Sequence, residues 1–223
     1  MKEKAKEARN SLQHGIYRII DPLVKFLIKL HVTPNMVTTI GFLGNTAAAV
    51  LLLIAADRAL DGHLNYSLVT IAGALVIGFS LFDMLDGQVA RLGNMSSTFG
   101  ALYDSVLDRY CELLTLGAIE FFMICCGHVA GAILTFLALV GSIMVSYVRA
   151  RAEGLGIECK KGFMQRPERV VVTSLALLAT GITGECGGSN PDVILTASMG
   201  FIAFFANMTA IARIRPCYVE LKK

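Results

Sequence analysis

Long uncharged stretches alternate with short polar connections along most of the chain. A helix that spans the hydrocarbon core of a bilayer needs about 20 mostly apolar residues. Five stretches come close to that length or exceed it: residues 32–56, 63–82, 121–148, 170–184 and 193–212. The fourth is short, but Pro167 and Glu168 suit the first turn of a helix and lengthen it at its N-terminus. The pattern therefore predicts five membrane helices directly.

A sixth membrane helix is predicted between the second and third of these stretches, over residues 99–125. It carries five charged side chains: Asp104, Asp108, Arg109, Glu112 and Glu120. Without this helix, two neighbouring apolar stretches would be joined on the wrong side of the membrane. We therefore predict an all-α, polytopic integral membrane protein with six transmembrane helices.

The segment before the first membrane helix has a different pattern. Over residues 12–30, apolar side chains such as Leu23, Phe26 and Leu30 recur at helical spacing, with Lys25 and Lys29 between them. This pattern predicts an N-terminal amphipathic helix that lies in the membrane interface. We thus predict a juxtamembrane segment over residues 1–31, a six-helix domain over 32–213 and a tail over 214–223.

Composition agrees with a membrane protein. The chain is 55% hydrophobic and 17% charged, with a mean hydropathy of +0.62, whereas soluble domains contain roughly 25% charged residues. This excludes a soluble globular enzyme. A net charge of only +3 gives no reason to expect a nucleic acid as partner. The six cysteines show no C-x-x-C spacing, so we predict neither disulfides nor a zinc site.

Basic residues are distributed unevenly between the two sides of the predicted membrane domain. With six crossings, 18 Lys and Arg residues fall beside the termini and in the second and fourth connections, against Arg58 alone on the other side. Under the positive-inside rule, the termini and these two connections face the cytoplasm. We therefore predict a multi-pass protein of the cytoplasmic membrane.

Four aspartates lie within or beside the predicted membrane helices, where each costs about 2.5 to 3.5 kcal/mol to insert. Asp83 and Asp86 are three residues apart, and Asp104 and Asp108 are four apart, so each pair shares one helix face. Carboxylates that lie so close repel unless cations sit among them, and hard divalent ions suit oxygen ligands. Arg91 adds a group that binds phosphate. The set indicates metal-dependent phosphoryl chemistry, with the site on the cytoplasmic side.

A small ion or proton transporter is the alternative, because acidic residues inside membranes also mark ion pathways. That function favours acids near the bilayer midplane and discontinuous helices. Here the four aspartates cluster towards one side of the membrane, and only Glu112 and Glu120 lie deeper.

The spacing Asp83-x2-Asp86-Gly87-x2-Ala90-Arg91-x8-Gly100-x3-Asp104-x3-Asp108 resembles the signature of the CDP-alcohol phosphotransferase family at every position. Thr33-Pro34-Asn35-x2-Thr38-x2-Gly41 resembles the usual opening of that family. The resemblance implies a six-helix enzyme, typically a homodimer, that transfers a phosphatidyl group from CDP-diacylglycerol to an alcohol and releases CMP.

The resemblance also implies roles for individual residues. Asp83, Asp86 and Asp104 would bind two divalent cations, usually magnesium with manganese as a substitute, and Asp108 would be the general base and share a metal. The implied donor pocket consists of Asn35, Thr38, Gly87, Ala90, Arg91 and Gly100.

The acceptor alcohol is predicted from the connection between the fourth and fifth helices. Its basic residues are Arg149, Arg151, Lys161, Arg166 and Arg169, and arginines at helix ends suit a phosphomonoester. The segments Arg149-Ala-Arg151-Ala-Glu153 and Arg166-Pro167-Glu168-Arg169 are similar to prokaryotic phosphatidylinositol phosphate synthases, although lysine is common at the first position. This implies inositol 1-phosphate as acceptor.

Other interpretations of this connection stay open. Its basic residues could reflect orientation in the membrane alone. Relatives that use glycerol phosphate generally carry a Lys-x-Lys-Thr-like run, which this chain lacks, so phosphatidylglycerophosphate synthase is the second choice. Free inositol or serine as acceptor would need less positive charge.

Overall fold

The computed structural model describes residues 21–159 and 162–222, and all the regular elements in these ranges are helices. They are α1 (residues 21–29), α2 (Pro34–Leu60), α3 (Tyr66–Ser80), α4 (Phe82–Leu92), α5 (Thr98–Cys125), α6 (Val129–Glu153), α7 (Arg166–Glu185) and α8 (Asp192–Leu221). The prediction of an all-helical fold is confirmed. Helix α8 continues through Pro216 into the residues predicted to form the tail.

Within the described residues, four helical segments are long and apolar enough to cross a membrane: Pro34–Leu60, Tyr66–Leu92, Val129–Glu153 and Asp192–Leu221. The second comprises α3 and α4, which are separated by a turn at Leu81. The chain is therefore a multi-pass membrane protein, while the count of six crossings stays a prediction. The predicted interfacial helix over residues 12–30 begins outside the described residues, which include only its second half.

By internal contacts, the described chain forms two compact units. The first contains residues 21–41 and 80–107, and the second contains residues 42–79, 108–159 and 162–222. Helices α2 and α5 contribute residues to both units.

The core of the first unit joins α1 to the helix that carries the first two aspartates. Val24 of α1 and Val37 of α2 are buried together with Leu85 and Val89 of α4. Thr33 caps α2, since its hydroxyl accepts a hydrogen bond of 3.4 Å from the backbone N–H of Met36. Pro34 then takes the first helical position, where a missing N–H costs nothing. These contacts fix the start of α2 beside α4.

The core of the second unit is larger and involves six helices, α2, α3 and α5 to α8. Its biggest buried side chains include Phe122 and Met123 of α5, Leu177 of α7 and Met199 of α8. Glycines let the helix backbones approach closely, as membrane helices require. A Cβ at Gly181 of α7 would collide with Thr70 of α3, and one at Gly141 of α6 would lie 2.6 Å from Asn207 of α8.

The connection between α6 and α7 packs along one face of α8. The Cys159 thiol lies 3.9 Å from the carbonyl oxygen of Arg213, and the backbone N–H of Met164 donates a hydrogen bond of 3.4 Å to the Thr209 hydroxyl. Gly162 has a φ of 153°, and a Cβ there would lie 2.5 Å from Thr209. Helix α8 thereby contacts the connection between α6 and α7, the two helices that carry four of the five predicted acceptor residues.

Candidate active site

A cavity of about 300 Å³ lies in the first unit, between α2, α4 and the start of α5. It is lined by Pro34, Asn35, Thr38, Asp86, Gly87, Ala90, Arg91, Met95, Ser96, Ser97, Gly100, Ala101 and Asp104. The structure therefore brings all six residues predicted to bind the donor to one cavity, together with two of the four aspartates.

A buried hydrogen bond joins α2 to α4 at this cavity. The Thr38 hydroxyl donates to Oδ2 of Asp86 over 2.7 Å, and both residues are only 6% exposed. Hydrogen bonds to a charged group are worth more than neutral ones because they offset its lost hydration. Thr38 thus orients the Asp86 carboxylate within the cavity.

Gly100 leaves space where α5 begins. Its backbone N–H donates a 2.9 Å hydrogen bond to the hydroxyl of Ser97, the residue before the helix. A Cβ at this position would lie 3.0 Å from the Ser97 hydroxyl and 3.3 Å from Oδ1 of Asn35. Any larger residue would therefore press on two side chains that line the cavity.

The aspartates fit a divalent cation by the chemistry of their oxygen atoms. Asp86 and Asp104 line the cavity beside Arg91, and hard cations such as magnesium and manganese prefer such oxygen ligands. Asp83 lies one turn before Asp86 on α4 but does not line the cavity. Within residues 21–159 and 162–222, no three His, Cys, Asp or Glu side chains already form a metal-binding cluster.

Asp108 lies one turn after Asp104 on α5 and belongs to the second unit. Its Oδ1 lies 2.8 Å from Nη2 of Arg166, and its Oδ2 lies 4.0 Å from Nη1 of Arg109. Arg166 begins α7, after Gln165 in an extended conformation and before Pro167. The predicted base and a predicted acceptor residue are thus direct neighbours.

Arg169, one turn further along α7, is 2% exposed. Its Nε and Nη2 lie 2.6 and 3.0 Å from the two carboxylate oxygens of Glu112, and its Nη1 donates a 3.2 Å hydrogen bond to the Met164 carbonyl. Sequence analysis gave Glu112 no role. The four-residue spacing from Asp108 was the available signal, because it places both acids on one face of α5.

The other predicted acceptor residues differ in their surroundings. Arg149 forms an exposed ion pair of 2.9 Å with Glu153 in the last turns of α6. Arg151 is exposed in the same helix end. Lys161 lies outside the described residues.

Arg213 of α8 is a basic residue that sequence analysis did not select. It is 4% exposed, and its Nη1 donates a 2.7 Å hydrogen bond to the Val145 carbonyl. Arg149 and Arg169 lie close enough to Arg213 for electrostatic repulsion. In the sequence, Arg213 directly follows an uncharged stretch, where basic residues commonly reflect the orientation of a membrane protein. Sequence analysis therefore attributed Arg213 to orientation rather than to binding.

The sequence model of the CDP-alcohol phosphatidyltransferase family matches residues 31–211. The chain belongs to this family. It is therefore a transferase, as the aspartate pattern predicted, rather than an ion transporter.

Curated relatives agree with the predicted subgroup. A phosphatidylinositol phosphate synthase of Corynebacterium glutamicum is 36% identical over 166 residues, which cover 74% of this chain and 71% of that protein. An archaetidylinositol phosphate synthase of Methanothermobacter thermautotrophicus is 33% identical over 200 residues, which cover 89% of this chain and 91% of that protein.

Solved structures of phosphatidylinositol phosphate synthase from Mycobacterium tuberculosis share the fold. The structure with CDP-DAG bound has a TM-score of 0.75 and 26% identity, and the match covers 90% of this chain and 94% of that one. The complex with manganese and citrate has a TM-score of 0.73 and 27% identity, with 88% of each chain covered.

Proposed function

We propose that this enzyme transfers the phosphatidyl group of CDP-diacylglycerol to a hydroxyl of inositol 1-phosphate and releases CMP, as a step of membrane phospholipid biosynthesis. The observation that carries the proposal is that both Arg149 and Arg169 lie within electrostatic range of the buried Arg213 in the second unit. Guanidinium groups held together repel, and a phosphomonoester is a dianion that can neutralise them through bidentate bonds.

The donor is supported by the cavity of the first unit. Arg91 there can bind the diphosphate, and the missing side chains leave room beside Arg91 at Gly87 and beside Asn35 at Gly100. The relative from Mycobacterium tuberculosis binds CDP-DAG, and all six residues predicted to bind the donor in this chain line one cavity.

Two magnesium ions are proposed as cofactors, with Asp83, Asp86, Asp104 and Asp108 as their ligands. The manganese in a related structure supports a divalent ion. When bound, such ions neutralise a diphosphate and stabilise the departing phosphate oxygen.

Asp108 is proposed to accept the proton from the attacking acceptor hydroxyl. The oxygen then bonds to the phosphorus of the phosphatidyl group, the bond from that phosphorus to the bridging oxygen breaks, and CMP leaves. Arg166 orients the Asp108 carboxylate through their 2.8 Å contact. Asp108 is 16% exposed in its side chain, which leaves it a route to a polar substrate.

We propose six crossings, with α5 and α7 completing the four apolar spans. Neither helix is among the four candidate spans, but both pairs Asp108–Arg166 and Glu112–Arg169 connect them. Charged side chains inside membranes pair with one another, so these contacts offset the polarity of both helices. The proposed arrangement is a homodimer in the cytoplasmic membrane, with the termini and the active site on the cytoplasmic side.

The purified protein should be incubated with CDP-diacylglycerol, magnesium and one acceptor at a time: inositol 1-phosphate, glycerol 3-phosphate, inositol or serine. We expect CMP release with inositol 1-phosphate and a phosphoinositol lipid as product. Turnover with glycerol 3-phosphate alone would agree with a phosphate-binding site but would contradict inositol 1-phosphate as the acceptor. Turnover only with free inositol or serine would contradict the role of the arginines.

A further inference from the structure

Three hydrogen bonds, two to Glu112 and one to the Met164 carbonyl, fix the orientation of the Arg169 guanidinium group. Both carboxylate oxygens of Glu112 bind the Nε side of the guanidinium, and the Met164 carbonyl accepts from Nη1. The Glu112 side chain is 10% exposed and that of Arg169 is 3% exposed, so water competes little for these bonds. The plane of the guanidinium is therefore set by α5 on one side and by the α6–α7 connection on the other.

This geometry leaves one edge of Arg169 directed away from Glu112. A guanidinium carries five N–H groups in a fixed plane, and the contacts among the described residues engage three of them. The other two are on the terminal nitrogens, on the sides that do not face Glu112. A phosphate oxygen can accept from that edge without disturbing the buried pair.

Charge gives Glu112 a second effect on Arg169. Arg213 lies within range to repel both Arg169 and Arg149, and Arg149 has its own acidic partner in Glu153. Without the Glu112 carboxylate, Arg169 would lose its counter-charge and turn away from Arg213. Glu112 thus keeps Arg169 in the cluster while the cluster as a whole stays positive.

We propose that Glu112 is a positioning residue for acceptor binding: it does not contact substrate, and it holds Arg169 in the orientation that binds the acceptor phosphate. This proposal rests on the proposed function, because it takes a phosphomonoester as the acceptor.

The test compares Glu112→Gln, Glu112→Asp and Glu168→Gln. Gln keeps the shape of Glu112 and removes its charge, Asp keeps the charge on a shorter side chain, and Glu168 is exposed on α7, which makes its substitution a matched control. We expect Glu112→Gln to raise the KM for inositol 1-phosphate about tenfold or more, with the KM for CDP-diacylglycerol within about twofold. Glu112→Asp should recover part of the lost acceptor affinity, and Glu168→Gln should leave both constants unchanged.

A purely structural role predicts a different result. If Glu112 only stabilises the fold, the variants lose active protein, and the maximal rate falls while the KM of the surviving enzyme for the acceptor stays the same. That pattern, or no effect at all, would overturn the inference. If Glu112→Gln does not fold, Glu112→Asp carries the same KM comparison.

Measurements on the wild-type protein distinguish a failure of this inference from a failure of the proposed function. Inorganic phosphate should inhibit the wild type competitively against the acceptor and inhibit Glu112→Gln about tenfold more weakly. A wild type that uses another phosphorylated acceptor overturns only the choice of inositol 1-phosphate, and the KM comparison is then made with that acceptor. A wild type that neither uses a phosphorylated acceptor nor responds to phosphate overturns both proposals.

Discussion

The guanidinium Nη2 of Arg166 lies 2.8 Å from Oδ1 of Asp108, which connects the first turn of α7 to α5. The next ion pair, Arg169 with Glu112, lies one turn further along both helices. Since both pairs follow the same order along the chain, the helix axes of α5 and α7 run parallel. If α5 and α7 cross the membrane as proposed, they begin on the same side of it, which is the arrangement that the distribution of basic residues predicts.

Asp108→Asn should abolish turnover and leave most donor binding intact. The amide keeps the size of the side chain but cannot accept the proton of the acceptor hydroxyl. The measurement is CMP release together with equilibrium binding of CDP-diacylglycerol. Arg166→Gln keeps the Asp108 carboxylate but removes the group that orients it, so this variant should lower kcat without abolishing turnover. Retained turnover in Asp108→Asn would exclude Asp108 as the base.

Thr38→Val should weaken metal-dependent activity. The substitution keeps the shape of the side chain but removes a buried hydrogen bond to the Asp86 carboxylate, worth roughly 1.5 to 3 kcal/mol. We expect the magnesium concentration for half-maximal activity to rise about tenfold. Thr39→Val is the matched control, because the Thr39 hydroxyl contacts Tyr103 rather than an aspartate. Equal effects of the two variants would contradict a specific role for Thr38.

Gly100→Ala should raise the KM for CDP-diacylglycerol. The added methyl group would lie 3.0 Å from the Ser97 hydroxyl and 3.3 Å from Asn35, and would push both into the cavity. Gly117→Ala on the same helix meets nothing within 4 Å and serves as the control. Initial rates at varied donor concentration compare the two variants. A donor KM unaltered by Gly100→Ala would contradict the proposal that Gly100 lines the donor-binding site.

Arg213→Gln should raise the acceptor KM by about tenfold or more, since a charge-assisted bond to phosphate is lost. Arg215→Gln removes the same charge from an exposed position two residues away. The pair of variants separates phosphate binding from the general effect of charge at this end of α8. If Arg215→Gln raised the KM as much, the arginine cluster would not be a specific site.

The native Cys186 offers a first test of membrane orientation, because it needs no introduced cysteine. It is exposed in the connection between α7 and α8, on the side predicted to face away from the cytoplasm. A membrane-impermeant maleimide added to intact cells should label the wild type and not Cys186→Ser. In that background, Glu158→Cys, placed in the α6–α7 connection, should stay unlabelled until the membrane is opened. Burial raises the pKa of the Cys159 thiol, so Cys159 should react slowly in both samples.

The donor cavity is the part of the site that sequence spacing predicts best. Asp86, Ala90 and Arg91 lie on one short helix and line the cavity, so helical periodicity alone places them together. Thr38 and Asn35 come from an element far away in the sequence, and only the family resemblance connected them to the aspartates. Their positions depend on how α1, α2 and α4 pack around Val37 and Leu85.

The arginine cluster was predicted less completely because it depends on long-range packing. Arg149 and Arg169 were selected for their places at helix ends, whereas Arg213 was attributed to orientation in the membrane. Nothing in local spacing shows that Glu112 meets Arg169, 57 residues later. That contact follows from the parallel packing of α5 and α7, which requires knowledge of the bundle.

The ion pairs between α5 and α7 also bear on how the chain enters the membrane during synthesis. The ribosome delivers Glu112 well before Arg169, with all of α6 between them. Until α7 emerges, α5 carries acidic side chains whose partners have not yet been made, and its transfer into lipid is unfavourable. We therefore expect α5 to remain at the translocon until α7 arrives, so that the two helices leave it together as a pair.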